Sequence, residues 1–193
     1  MPENKELRAL ARSQLKGSWL PAVGFTLVYC VIISIASMFF GVGALIVGGP
    51  LTYGFLGYFI RKVRGERAEF ENLFEGFKIF VPTFLLYLLM VIFICLWSLL
   101  LIVPGIIKSL SYSMSFFILR DNPGMKAMDA INASKKMMQG YKMKLFLLGL
   151  SFIGWCLLCC LTFGIGLLWL YPYMSQTFAN FYENLKRNQG AAA

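Results

Sequence analysis

The sequence predicts an all-α membrane protein: six transmembrane helices in three helical hairpins, with short amphipathic helices on one surface. Three observations predict it. Of 193 residues, 59% are apolar or aromatic and 14% charged, with a mean hydropathy of +0.69. A soluble domain is roughly 45–50% apolar and about 25% charged, and one of this size has too little interior to hide the surplus. The apolar residues gather into three long runs, each interrupted near its middle by Gly or Pro, and the basic residues fall almost wholly outside them. This composition excludes most soluble enzymes, disordered chains and secreted disulfide scaffolds.

The chain opens with an amphipathic segment, about 3–16, in which Leu7, Leu10, Ala11 and Leu15 recur at helical spacing. It mixes acids with bases, and the run behind it is far longer than a signal core, so no cleavable signal peptide is expected. Residues 17–60 form 44 positions without a charge, enough for two spans of roughly 20 residues each. Gly41-Val-Gly43 to Gly48-Gly49-Pro50 breaks this run, giving a first hairpin over about 17–64. A second amphipathic segment, about 67–78, carries Phe70, Leu73, Phe74 and Phe77. The second hairpin, about 79–120, turns at Pro104-Gly105, and Arg120-Asp-Asn-Pro-Gly124 reads as the turn that ends it. A third amphipathic segment, about 125–139, uses Ala127, Met128, Ile131 and Met138. The third hairpin, about 142–186, contains the charge-free run 145–182 and breaks between Gly164-Ile-Gly166 and Pro172. Residues 1–187 are therefore one membrane domain, and 188–193 read as a tail.

Only Lys108 of the 18 basic residues lies outside the terminal and between-hairpin segments. By the positive-inside rule both termini and both long loops are expected to be cytoplasmic. The amphipathic segments have two readings: helices lying in the headgroup layer, drawn to anionic lipid, or structural elbows packed under the bundle. Arg61, Lys62, Arg64, Lys142 and Lys144 are the expected membrane-surface cations. The bases are spread over four juxtamembrane segments with no recognition module, so nucleic-acid binding is not expected.

The hairpins resemble one another. Each amphipathic segment ends at a glycine, Gly17, Gly76 or Gly140, and each second helix is expected to open near a proline, Pro50, Pro104 or Pro172. Aligned on these prolines, Gly54, Lys108 and Gln176 correspond, as do Gly57, Ser111 and Ala179, and then Tyr58, Tyr112 and Asn180. These positions share one helical face. Gly54, Gly57 and Ala179 suit close helix packing. Lys108, Ser111, Tyr112, Ser115, Gln176, Asn180 and Tyr58 are the candidate polar centre, with the first helices facing lipid. Lys108 either snorkels to the outer interface or serves a ligand or pathway. No acid within the spans pairs with it, which argues against a carboxylate-based proton pump.

Catalytic chemistry is not expected. The chain has no His, which removes the commonest general base and neutral metal ligand. Cys156-x-x-Cys159-Cys160 resembles a thiol motif, but no basic neighbour lowers a thiol pKa there, and packing is the simpler role. Ser109 to Ser115 beside Lys108 permits a Ser–Lys dyad, though small-residue packing explains it better. No metal and no cofactor is expected. Two functions remain: transport or lipid and small-molecule handling, or a membrane partner subunit or regulator (exporter-associated, peptide immunity or envelope stress).

The run Leu101-Ile-Val-Pro-Gly-Ile-Ile-Lys-Ser-Leu-Ser-Tyr-Ser-Met114, with Asp121-Asn-Pro, Ser134-Lys-Lys-Met-Met-Gln-Gly and Leu150-Ser-Phe-Ile-Gly-Trp, resembles an uncharacterised bacterial membrane protein family. That family is catalogued as domain of unknown function number 975. Gly164-Ile-Gly-Leu-Leu-Trp-Leu-Tyr-Pro-Tyr173 and Phe181-Tyr-Glu183 fit as well. The resemblance covers about 5–187 and implies a bacterial plasma-membrane protein, with no settled activity and no catalytic residues. More loosely, the chain resembles membrane domains attached to some glycerophosphodiester phosphodiesterases, an analogy pointing toward lipid chemistry.

Overall fold

The computed structural model describes residues 2–38, 41–162 and 164–190. Regular structure in them is helical: α1 Asn4–Leu15, α2 Trp19–Ser37, α3 Val42–Arg64, a 3-10 segment Phe70–Ile79, α4 Phe80–Leu100, α5 Ile102–Tyr112, α6 Ser115–Asp121, α7 Ala127–Met137, α8 Lys142–Leu150, α9 Ile153–Leu161 and α10 Leu167–Gly190. Five stretches are long and apolar enough to cross a membrane: Trp19–Ser37, Val42–Arg64, Phe70–Leu99, Ile102–Asp121 and Lys142–Cys159. The 24-residue α10 is not among them, because its second half carries Asn180, Glu183, Lys186 and Arg187.

Successive helices double back on one another. On α2 and α3, Ala36 meets Gly43, Tyr29 meets Thr52, and Phe25 stacks on Tyr58 with ring centroids 4.1 Å apart. On α4 and α5, Ser98 meets Gly105, and Phe93 lies 6.2 Å from Tyr112. Cys159 of α9 packs on Gly166, and Phe152 meets the Tyr173 ring edge-on at 5.3 Å. In each pair the contacts descend one element as they climb the other, so the partners are antiparallel. The first, third and fifth apolar stretches are only 22, 11 and 22% buried, whereas the second and fourth are 61 and 50% buried. α3 and α5–α6 thus form the interior, with α2, α4 and α8–α9 at the rim. Phe25, Phe55, Tyr58, Phe59, Phe152, Phe181 and Tyr182 fill the middle.

Four expectations change. Only Pro104 falls in a first helical turn; Pro50 and Pro172 lie inside α3 and α10, which start earlier. An internal proline forfeits one ladder bond, and such a loss is tolerated in membrane helices where neighbours supply partners. The second amphipathic segment is a 3-10 helix, not an α-helix. It is opened by a capping box, in which the Glu69 N–H donates to Asn72 Oδ1 at 2.7 Å. It also lies so close across α3 that a Cβ on Gly54 would strike the Leu73 carbonyl, and one on Gly76 the Pro50 carbonyl. The third apolar run is split between α8 and α9 at Ser151–Phe152, beside Gly149 and Gly154, both weak helix formers. Finally, the expected tail from 188 continues α10 to Gly190, where Gln189 Nε2 donates to the Met137 carbonyl at 3.0 Å; residues 191–193 lie outside the described residues. Gly17 and Gly140 adopt φ of +83° and +78°, the left-handed turn that leads from elbow to span, while Gly76 serves close approach instead.

The elbows pack against the bundle. Leu7, Ala11 and Leu15 of α1 are fully buried, as are Ala130 and Ile131 of α7. Ser134 of α7 mends the gap between α5 and α6. Its hydroxyl donates to the Ser111 carbonyl at 2.7 Å and accepts the Met114 N–H at 3.2 Å, two backbone groups left over where the helix ends. Ser134→Ala strands both of them in a buried place, and thermal unfolding in detergent micelles should show a loss of about 2 kcal/mol. Ser109→Ala removes only a bond to its own helix at Ile106 and should change stability by less than about 0.5 kcal/mol.

Candidate functional site

The seven residues expected to make one polar centre occupy separate neighbourhoods. Lys108 lays its ammonium over the Trp97 ring, 4.4 Å from the centroid, near the α4–α5 turn. The Ser111 hydroxyl donates to Ile107 at 2.7 Å. Ser109 and Ser113 likewise donate to their own helix, so the hydroxyls beside Lys108 are not poised as nucleophiles. Tyr112 packs on Phe93 and lies under the Lys135 ammonium at 5.6 Å. The Ser115 hydroxyl is buried without a hydrogen-bond partner among the described residues. Tyr58 is stacked on Phe25, with Lys62 over its ring at 5.4 Å. Only Gln176 and Asn180 come together: both are fully buried, and their amide nitrogens donate to Gln14 Oε1 of α1 at 2.7 and 2.8 Å. Alignment on the prolines puts these residues on corresponding faces, but it carries no information about where each helix crosses its neighbours.

What the fold does assemble is an ionic cluster at the charged end of the bundle. Arg64 at the end of α3 bridges Asp121 of α6 at 2.7 Å and Glu183 of α10 at 2.6 Å. Asp121 also accepts from Lys186 Nζ at 2.6 Å and from the Tyr182 hydroxyl at 2.8 Å, while Tyr182 stacks on Phe117 at 5.0 Å. Beside it, Glu75 takes Arg61 at 2.7 Å and Arg120 at 3.0 Å. Arg120 reaches Glu75 across Gly57, whose bare Cα is the floor on which the guanidinium rests. Ala179 is fully buried on α10.

This alters the expected membrane surface. Arg61 and Arg64 spend their charge on acids of the protein, and Lys62 on Ser18 and Tyr58. Lys142 and Lys144 are half-buried at the start of α8, where the Lys144 carbonyl accepts from Asn4 Nδ2 at 3.2 Å. Asp121, Glu183 and Glu75 were not among the expected site residues. One signal was present, since Asp121 and Glu183 are the first acids beyond the second and third apolar runs and so stand where the chain leaves its charge-free stretches, near the basic loops.

Two cavities lie between the helices. The larger, about 700 Å³, lies between the α1–α2 corner and α9–α10, with Arg12, Trp19, Trp155, Trp169, Leu170 and Tyr173 on its walls. The smaller, about 400 Å³, lies among α5, α8 and α10 and is lined by Ser109, Ser113, Phe146, Leu150 and Phe178, among others. Both have mostly apolar walls. A third, of about 680 Å³, sits at the charged end beside Asp121, Lys136 and Lys186.

A family model described as "Protein of unknown function (DUF975)" matches residues 1–109 and 99–189. No curated protein and no solved structure matches the chain.

Asp121 and Glu183 side chains are only 10 and 11% exposed and Arg64 29%, so removing a carboxylate leaves a partly buried guanidinium short of one partner. Asp121→Ala should cost about 2–3 kcal/mol by thermal unfolding in micelles, below the usual value for a fully buried pair because Glu183 remains. Lys186 is 49% exposed, and Lys186→Ala should cost less than about 1 kcal/mol in the same measurement.

Proposed function

The chain belongs to the family of unknown function DUF975, and we propose for it a non-enzymatic role in a bacterial plasma membrane: binding and handling membrane lipid from the side, through the groove between the α1–α2 corner and α9–α10. The observation that carries this reading is a filled middle beside a lateral cavity. Phe25, Phe55, Tyr58, Phe117 and Tyr182 occupy the space a polar path would need, while about 700 Å³ opens at the rim. That volume falls within the roughly 300–1,000 Å³ of small-molecule sites, and the rim helices are the ones that face lipid. Passage through a centre built on Lys108 is disfavoured by its place over Trp97.

The proposed topology has six spans in three hairpins, with α10 as the sixth and both termini cytoplasmic. The antiparallel contacts of α2–α3, α4–α5 and α9–α10 support it, as does the gathering of 17 of 18 basic residues, all but Lys108, on the side of the termini and the between-hairpin loops. A threefold repeat is supported by the shared left-handed turns at Gly17 and Gly140, and by the meeting of the three second helices at Arg64, Asp121 and Glu183. A second reading, a partner subunit or regulator of another membrane protein, draws on the same filled centre.

Native mass spectrometry of the protein released gently from its own membrane tests the choice. Retained phospholipid is expected, and equally in Lys108→Met, because Lys108 does not line the groove. A bare chain, or a complex with another membrane protein and no lipid, would overturn lipid handling and favour the partner subunit.

A further inference from the structure

Burying Leu7, Ala11 and Leu15 on one face of α1 leaves Arg12 at the edge of the larger cavity. Its Nε donates to the Tyr173 hydroxyl at 3.1 Å, and its guanidinium carbon stands 5.4 Å from the centroid of the same ring. Tyr173 is itself buried and packed on Phe152 and Trp19. The guanidinium is thus held by one edge, with its two terminal nitrogens left for another acceptor. None of the ion pairs among the described residues involves Arg12, in contrast to Arg61, Arg64 and Arg120.

Beyond Arg12 the walls turn apolar. Trp155, Leu158 and Trp169 are 47, 56 and 49% exposed on helices at the lipid-facing rim. At the far end the Thr162 hydroxyl donates to the Cys159 carbonyl at 2.9 Å. A fixed guanidinium fork matches a phosphodiester, tryptophan and tyrosine suit the headgroup level, and an apolar wall suits an acyl chain. A molecule entering such a groove comes from the bilayer.

Resting on the lipid-handling reading above, we propose that this groove binds one anionic phospholipid, its phosphodiester on Arg12 and an acyl chain along Trp155, Leu158 and Trp169. The lipid comes from the leaflet on the Arg12 side.

Trp19, Trp155 and Trp169, three of the chain's four tryptophans, line the groove and report on it. The full chain carrying Trp97→Phe is placed in phosphatidylcholine nanodiscs containing a small fraction of either dibrominated phosphatidylglycerol or dibrominated phosphatidylcholine, whose bromines quench tryptophan fluorescence on contact. Both lipids offer Arg12 a phosphodiester, but phosphatidylcholine also brings a quaternary ammonium that the guanidinium repels, so the phosphatidylglycerol should quench at about fivefold lower mole fraction. The preference should vanish in Arg12→Gln and persist in Lys16→Gln, which removes a neighbouring exposed charge. Equal quenching by both lipids, a preference that survives Arg12→Gln, or one lost equally in Lys16→Gln would overturn the site. A measurement that needs no Arg12 variant is competition: unlabelled phosphatidylglycerol should relieve the excess quenching and inorganic phosphate should not, and relief by phosphate would overturn the lipid assignment. If the preference fails while phospholipid is still retained in the mass spectrometry above, the Arg12 site alone falls; if retention is lost too, lipid handling falls with it.

Discussion

Arg64 stands between Asp121 and Glu183 at 2.7 and 2.6 Å, and this one guanidinium ties the ends of α3 and α6 to the second half of α10. Its importance follows from the solvent. Between helices in lipid there is no hydrophobic drive, because the tails outside are as apolar as the side chains inside. Leucine and isoleucine faces therefore distinguish poorly among alternative packings. Directional contacts must choose, and they are placed where the chain leaves the hydrocarbon and ions are still affordable. From that end the interior helices run inward through aromatic stacking, Phe117 on Tyr182 and Phe25 on Tyr58.

A second constraint acts through missing side chains. Gly54 and Gly76 bring the backbones of α3 and the 3-10 segment into contact, and Gly57 seats the Arg120 guanidinium that reaches Glu75. These contacts explain why an amphipathic stretch with helical spacing folds as a 3-10 segment, since an α-helix has a different rise and would carry Gly76 away from Pro50. Ser134 acts in the same way at the α5–α6 gap, giving two leftover backbone groups a partner from a neighbouring elbow.

The membrane character, the order of apolar helices and the contrast between rim and interior could be read from composition and from charge-free runs such as 17–60. These are properties of local sequence. The expected polar centre was not legible, because it depended on depth and rotation between helices. Lys108 turned to Trp97, Gln176 and Asn180 turned to Gln14 on α1, and Arg61 and Arg64 turned inward to acids. The pairings of Gln14 with Gln176 and Asn180, and of Arg64 with Asp121, join residues far apart in the chain, and that of Lys108 with Trp97 depends on how α4 and α5 turn against each other; a one-dimensional pattern records neither. Arg12 escaped notice for the same reason: it reads as one more surface base until the Tyr173 hydroxyl is placed beside it.

The length of α10 bears on the membrane itself. Its charge-free part, 167–182, precedes Glu183, and at 1.5 Å per residue it rises about 24 Å against a hydrocarbon core of about 30 Å. If α10 is the sixth span, as proposed, thinning of the bilayer beside it by several ångströms would make up the difference at a modest elastic cost. The groove lies against this helix, so on that topology lipids on its flank would be compressed relative to those along α4. On the proposed six-span topology the resulting dimple is one-sided, and lipids with shorter or more disordered tails would gather there before any headgroup is recognised.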